Sequence, residues 1–130
     1  MPRAYTIATA ALALETSPKW LDNTLSHYRV AGVAHQKQGV ARRITIEGLL
    51  AISVTLLLVA ELGSPVGPAL DVAQRLIGND GIVEFSKGLR VELELQDFRD
   101  RLLAKLEHAV EIAPLPRRGR PPKRTTGRLE

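Results

Sequence analysis

The segment Thr16-Ser17-Pro18-Lys19-Trp20-Leu21-Asp22-Asn23-Thr24-Leu25-Ser26-His27 predicts a helix with a sharp start. Ser17 can cap it, and Pro18 suits the first helical position, where the N–H it lacks would have no partner. Trp20, Leu21, Leu25 and Tyr28 fall on one side, while Lys19, Asp22, Asn23, Ser26 and His27 fall on the other. Upstream, Ile7 to Leu14 is rich in alanine and leucine and follows Thr6, a natural cap, so a shorter helix precedes the first. Two short helices joined by a tight turn, the second polar on its outer face, outline a helix-turn-helix.

Downstream, Val30-Ala31-Gly32-Val33-Ala34 and Val40-Ala41-Arg42-Arg43-Ile44 flank the polar turn Gln36-Lys37-Gln38-Gly39, which reads as a β-hairpin. Thr45 then caps a long helix that Gly63 ends, and Ser64 or Pro65 opens another that Gly78-Asn79-Asp80-Gly81 terminates. Ile82 to Ser86 and Leu89 to Leu95 are joined through Lys87-Gly88. In the second of these, Leu89, Val91, Leu93 and Leu95 alternate with Arg90, Glu92 and Glu94, the period of a half-buried strand. Asp97 is the expected cap of a last helix carrying Phe98, Leu102, Leu106 and Ala109 or Val110 inward. Beyond Ala113 the chain is dense in proline, glycine and arginine, with only Leu115 and Leu129 to bury, and is expected to be disordered alone. The expected fold is mainly α with small β. Its parts are residues 1–78, a β-hairpin plus helix at 79–113 for packing or dimerisation, and a basic tail at 114–130.

The chain has no cysteine, which excludes disulfides, thiolate nucleophiles and cysteine zinc sites. His27, His35 and His108 show no metal-ligand spacing, so neither metal nor cofactor is expected. The uncharged run from Gly48 to Ala60 is far shorter than the roughly 20 residues that span a bilayer. With no signal-peptide pattern at the start, the expected location is cytoplasmic, without membrane attachment. Charge is segregated: residues 114–130 hold six arginines and lysines against Glu130, a net of +5, so the remainder nets −1 in a chain of +4. That pattern fits either a basic arm for nucleic acid or another polyanion, or a solvated tail.

Within the tail, Arg118-Gly119-Arg120-Pro121, flanked by Arg117 and by Lys123-Arg124, resembles an AT-hook, a short motif that binds the minor groove of A·T-rich DNA. The chemistry suits that target. A narrow A·T minor groove attracts arginine, glycine lets the backbone approach the groove floor, and proline keeps the chain extended. Arg117, Lys123 and Arg124 would then meet phosphates. A solvated tail, an RNA-binding arm and a nuclear-import signal are the other readings.

Tyr5-Thr6-Ile7, Ala10-Ala11, Ser17-Pro18-Lys19 and Leu21, followed by Gly39-Val40-Ala41-Arg42-Arg43-Ile44-Thr45 and Glu61-Leu62-Gly63, resemble the MerR-like winged helix-turn-helix domain over about residues 4–78. The sequence departs from that pattern at Glu15-Thr16, where the family has glycine-valine, at Asp22-Asn23 on the recognition helix, and at Val40 in the wing. The resemblance implies that the second helix enters the major groove, with Lys19, Asn23, Ser26 and His27 as contacts. Lys37, Arg42 and Arg43 on the wing would meet backbone phosphates. Ordinary exposed polar residues on a domain with another task are the alternative.

No catalytic constellation is present; Glu92 and Glu94 share a strand face, which for alternate acids is ordinarily a solvated one. The expected function is non-enzymatic. It is a nucleoid-associated transcriptional regulator or chromosome-architecture factor on A·T-rich double-stranded DNA. The apolar excess of the third helix points to a homodimer or to an intramolecular core. A protein-interaction module, such as an antitoxin that also binds its own promoter and holds a small protein partner, is the second class.

Overall fold

The computed structural model describes residues 3–33 and 42–112. Its elements are β1 (Ala4–Thr6), α1 (Ile7–Leu14), α2 (Pro18–His27), β2 (Arg43–Thr45), α3 (Ile46–Leu62), α4 (Val66–Gly78), β3 (Ile82–Glu84), β4 (Arg90–Glu92) and α5 (Leu95–Ile112). The fold is mainly helical, with two small antiparallel strand pairs among the described residues.

Local chemistry sets most of the helix ends. Thr6 Oγ1 accepts from the Thr9 N–H at 3.2 Å, Ser17 Oγ from Trp20 at 3.0 Å, and Thr45 Oγ1 from Gly48 at 3.4 Å. Each satisfies an N–H that the first turn leaves without a partner. Gly63 closes α3 in the left-handed conformation at φ 65°. The end of α1 is less ordinary. Glu15 adopts φ 58° without being glycine, and the N–H groups of Glu15 and Thr16 return to the carbonyls of Leu12 and Ala11. A turn that glycine makes without strain is therefore made here with a glutamate.

The Glu15 carboxylate meets Lys105 Nζ at 2.8 Å, tying the α1–α2 turn to α5. A hydrogen bond from Lys105, and then its charge, hold the Glu15 carboxyl below its ordinary value of 4.5. A depressed carboxyl stabilises the fold above its unfolded pKa, and that contribution disappears as pH falls through the folded value. Lys105→Met is expected to bring the Glu15 titration back up toward 4.5, as read by carboxyl NMR shifts; an unmoved midpoint would show that Lys105 is not the cause.

The two segments of the expected 30–44 hairpin meet antiparallel at their described ends, and β2 has a second partner that the sequence does not announce. β2 pairs with β1, in the register Ala4 to Thr45, Tyr5 to Ile44 and Thr6 to Arg43. Among the described residues the earlier segment joins it through the antiparallel bridge Val33 to Ile44 and through the Thr45 N–H, which donates to the Gly32 carbonyl at 2.9 Å. Pairing with β1 also places Tyr5 and the fully buried Ile44 in one core. Residues 34–41 of the expected hairpin lie outside the described residues.

One core gathers Ala10, Leu21, Leu25, Ile44, Leu49, Leu50 and Ile52 with Leu102, Leu106 and Ala109 of α5. The second gathers Val54, Ala73, Leu76 and Val83, with Phe85, Val91 and Leu93 against it, and Phe98 touches both. The first half of α3 is thus covered within the chain, whereas Leu56 to Val59 are half-buried and Leu62 is exposed. α4 packs most extensively on α3, and α5, which packs mainly on α1, also reaches α3, so part of the apolar excess that pointed to a dimer is covered within the chain.

Two expectations in the last third are corrected. The alternating segment is strand only over Arg90–Glu92, and Leu89 is exposed because it lies at the tip beyond the second core. Asp97 does not cap α5. The helix starts at Leu95, whose side chain packs on the core, and Asp97 lies in its first turn 3.6 Å from Arg101. A carboxylate there still complements the helix dipole.

Candidate nucleic-acid interface

α2 is amphipathic in the required sense. Leu21, Thr24 and Leu25 are buried and Trp20 is half-buried, while Lys19, Asn23, Ser26 and His27 are all exposed. Their spacing of four, three and one places these four on one helical face. The structure therefore brings together the four residues assigned to the major groove.

Two of them are committed locally. Ser26 Oγ donates to the Asp22 carbonyl at 2.9 Å, a back-bond within the helix. His27 Nδ1 lies 2.8 Å from the Asn23 carbonyl. A carbonyl only accepts, so Nδ1 carries the proton, and Nε2 of the neutral ring is left as an acceptor.

Asp22 is the residue on α2 least suited to a polyanion, and the structure neutralises it. Its carboxylate pairs with Arg42 Nη1 at 2.5 Å, and that nitrogen also donates to the Asp22 carbonyl at 3.3 Å. Arg42 Nη2 reaches Ser26 Oγ at 3.5 Å. The Arg42 side chain is only 8% exposed, so it is corrected from a phosphate contact to a tie between the root of β2 and α2. Sequence reading missed this because the partners are far apart in the chain and each looked like a surface charge.

An exposed pair contributes up to about 1 kcal/mol, and breaking a fully buried one removes about 3–5 kcal/mol. With Asp22 half exposed, a double-mutant cycle of Asp22→Ala and Arg42→Met is expected to give a coupling of about 1–2 kcal/mol in urea unfolding. A coupling near zero would mean that the contact fastens nothing.

Arg43 is exposed on β2 and makes no ion pair among the described residues. Lys37 and the tail residues Arg117, Arg118, Gly119, Arg120, Pro121, Lys123 and Arg124 lie outside the described residues. A second long-range tie, with no local signal in the sequence, comes from Gln74 of α4. Its Oε1 accepts from Ala31 N–H at 3.1 Å and its Nε2 donates to the Arg29 carbonyl at 3.3 Å, fixing the chain as it leaves α2.

Within residues 1–113 the charge is polarised more sharply than their net of −1 suggests. Residues 1–43 hold six lysines and arginines against Glu15 and Asp22, a net of +4, whereas residues 44–113 hold six against eleven acids, a net of −5. The positive surplus belongs to the part of the chain that carries α2 and β2. Among the described residues no three His, Cys, Asp or Glu are placed to hold a metal ion, and no helix is long and apolar enough to cross a membrane. No protein-family model matches the chain, and neither a curated protein nor a solved structure matches it.

Proposed function

We propose that this chain binds double-stranded DNA as a transcriptional regulator or chromosome-architecture factor of the nucleoid, with α2 in the major groove and the tail hook in the minor groove of A·T-rich sites. The observation that carries the reading is the outer face of α2. Its four polar residues are exposed together, and its single carboxylate is neutralised by Arg42. Arg43 and, as the MerR-like resemblance implies, Lys37 supply phosphate attraction, with Lys19 kept as a major-groove contact. The pairing of β1 with β2 supports that resemblance, because it joins the Tyr5-Thr6 segment to the Arg43-Ile44-Thr45 segment. Non-enzymatic action and a homodimer belong to the same proposal; a dimer would double both DNA elements.

A protein-binding role, as in an antitoxin that also binds its promoter, is the second reading. It is favoured by the exposed Leu12, Leu103, Val110 and Ile112 on and beside α5.

Gel shifts with A·T-rich and G·C-rich duplexes, on the full chain and on a chain ending at Ala113, test the first reading. The full chain is expected to prefer the A·T duplex and to lose that preference on truncation. Equal binding of both duplexes by the full chain would rule out minor-groove recognition. Co-elution of a small protein with no retention of either duplex would move the assignment to the second reading.

A further inference from the structure

The C-terminal end of α5 is assembled against its own electrostatics. Glu107 and Glu111 are like charges at i and i+4 on an exposed face, and neither makes an ion pair or hydrogen bond among the described residues. Both lie toward the helix end where the dipole disfavours carboxylates, and the last turn contains no basic residue. Together with Tyr5, Leu103, Leu106 and Val110 they line a groove between α5 and β1. Its floor is apolar, with Leu103 37% and Val110 42% exposed. Arg3, stacked 5.1 Å over the Tyr5 ring, is the cation on its rim, and the two carboxylates outnumber it.

The missing cations begin where α5 ends. Pro114-Leu115-Pro116-Arg117-Arg118 follows directly, and Leu115 is the one large aliphatic residue between Ile112 and Leu129. At about 3.3–3.6 Å per extended residue, Ala113 to Arg117 can reach about 17 Å. Glu107 lies only about 7.5 Å back along the helix axis from Ile112.

We propose that, away from DNA, residues 113–118 turn back over α5, with Leu115 in the groove beside Leu103 and Val110, and with Arg117 and Arg118 against Glu107 and Glu111. Arg118 is also a core residue of the hook, so this docked tail and a minor groove compete for one side chain. The competition rests on the DNA reading above; the docking itself does not.

The absence of cysteine allows a clean test on the full chain. A spin label at Thr125→Cys is expected to broaden the amide resonances of Tyr5 on β1 and of Leu103, about 13 Å along the helix axis from Ile112. The lost intensity returns in the same chain carrying Glu107→Gln and Glu111→Gln, and returns on adding an A·T-rich duplex. The Glu substitutions also raise the affinity of the full chain for that duplex about two- to tenfold, the worth of two exposed pairs.

Broadening confined to residues 109–112, or unchanged by the two Glu substitutions, overturns the docking. So does broadening that appears only between labelled and unlabelled molecules, which would place a second copy in the groove. Broadening that the Glu substitutions abolish but the duplex does not upholds the docking and counts against the DNA reading alone.

Discussion

Gly81→Ala is expected to lower the unfolding free energy by about 3 kcal/mol, a large part of the 5–15 kcal/mol typical of a domain. Two separate terms produce that figure. Gly81 has φ 86°, where an L-residue is strained by about 1–2 kcal/mol. A Cβ there would also lie 2.4 Å from the Leu93 carbonyl oxygen, with Leu95 Cβ at 3.4 Å, and forcing atoms into packed space costs about 1–3 kcal/mol. The clash is with backbone, so no rotamer change relieves it.

Gly81 is also where elements join. Its N–H donates to Leu76 at the end of α4, and its carbonyl accepts from Leu93 between β4 and α5, each at 2.7 Å. Shifting it moves the start of α5, and with it Phe98, which touches both cores. Gly63→Ala is the internal control, because that glycine has φ 65° but nothing within 4 Å of its Cβ position. It is expected to lose only about 1 kcal/mol. Urea midpoints separate the two, and equal losses would show that the Leu93 contact carries no weight.

The contrast between those glycines shows which features were legible in the sequence. Gly63 was readable as a helix stop because its reason is local. The same holds for Thr6, Ser17-Pro18 and Thr45, whose cap partners are three residues away. Gly78-Asn79-Asp80-Gly81 was readable as a terminator, but not the crowding at Gly81, which comes from Leu93 on the far side of a hairpin.

Long-range pairing was hidden for the same reason. Nothing near Ile44 announces that its strand partner is Tyr5 rather than only Val33, and nothing near Asp22 announces Arg42. Periodicity located the faces of α2 and α5 correctly but overran at Leu89, where the strand pattern continues past the end of the core. In the candidate site, the exposed set Lys19, Asn23, Ser26 and His27 was legible from helical spacing alone. The role of Arg42 was not, because burial is a property of the assembled fold.

Replacing Arg118 and Arg120 together by alanine is expected to weaken binding to an A·T-rich duplex at least about tenfold, while binding to a G·C-rich duplex changes little. Tenfold corresponds to about 1.4 kcal/mol, shared between two arginines. Both belong to the Arg118-Gly119-Arg120 core, which is suited to a narrow, negative minor groove. Replacing Arg117, Lys123 and Arg124 should act differently. Phosphate attraction carries no sequence information, so both duplexes should weaken alike. The slope of log affinity against log salt should flatten by about 3, at about 0.9 for each phosphate that is no longer neutralised.

The effect should be large because residues 44–113, with a net charge of −5, oppose approach to DNA. The +4 of residues 1–43 offsets all but one of those charges, so the +5 of the tail is what makes the whole chain +4. A full chain that retained its A·T preference without Arg118 and Arg120 would assign recognition to α2 and β2. If both sets of substitutions flattened the salt slope while A·T and G·C binding fell equally, the tail would be a phosphate clamp with no reading of the minor groove.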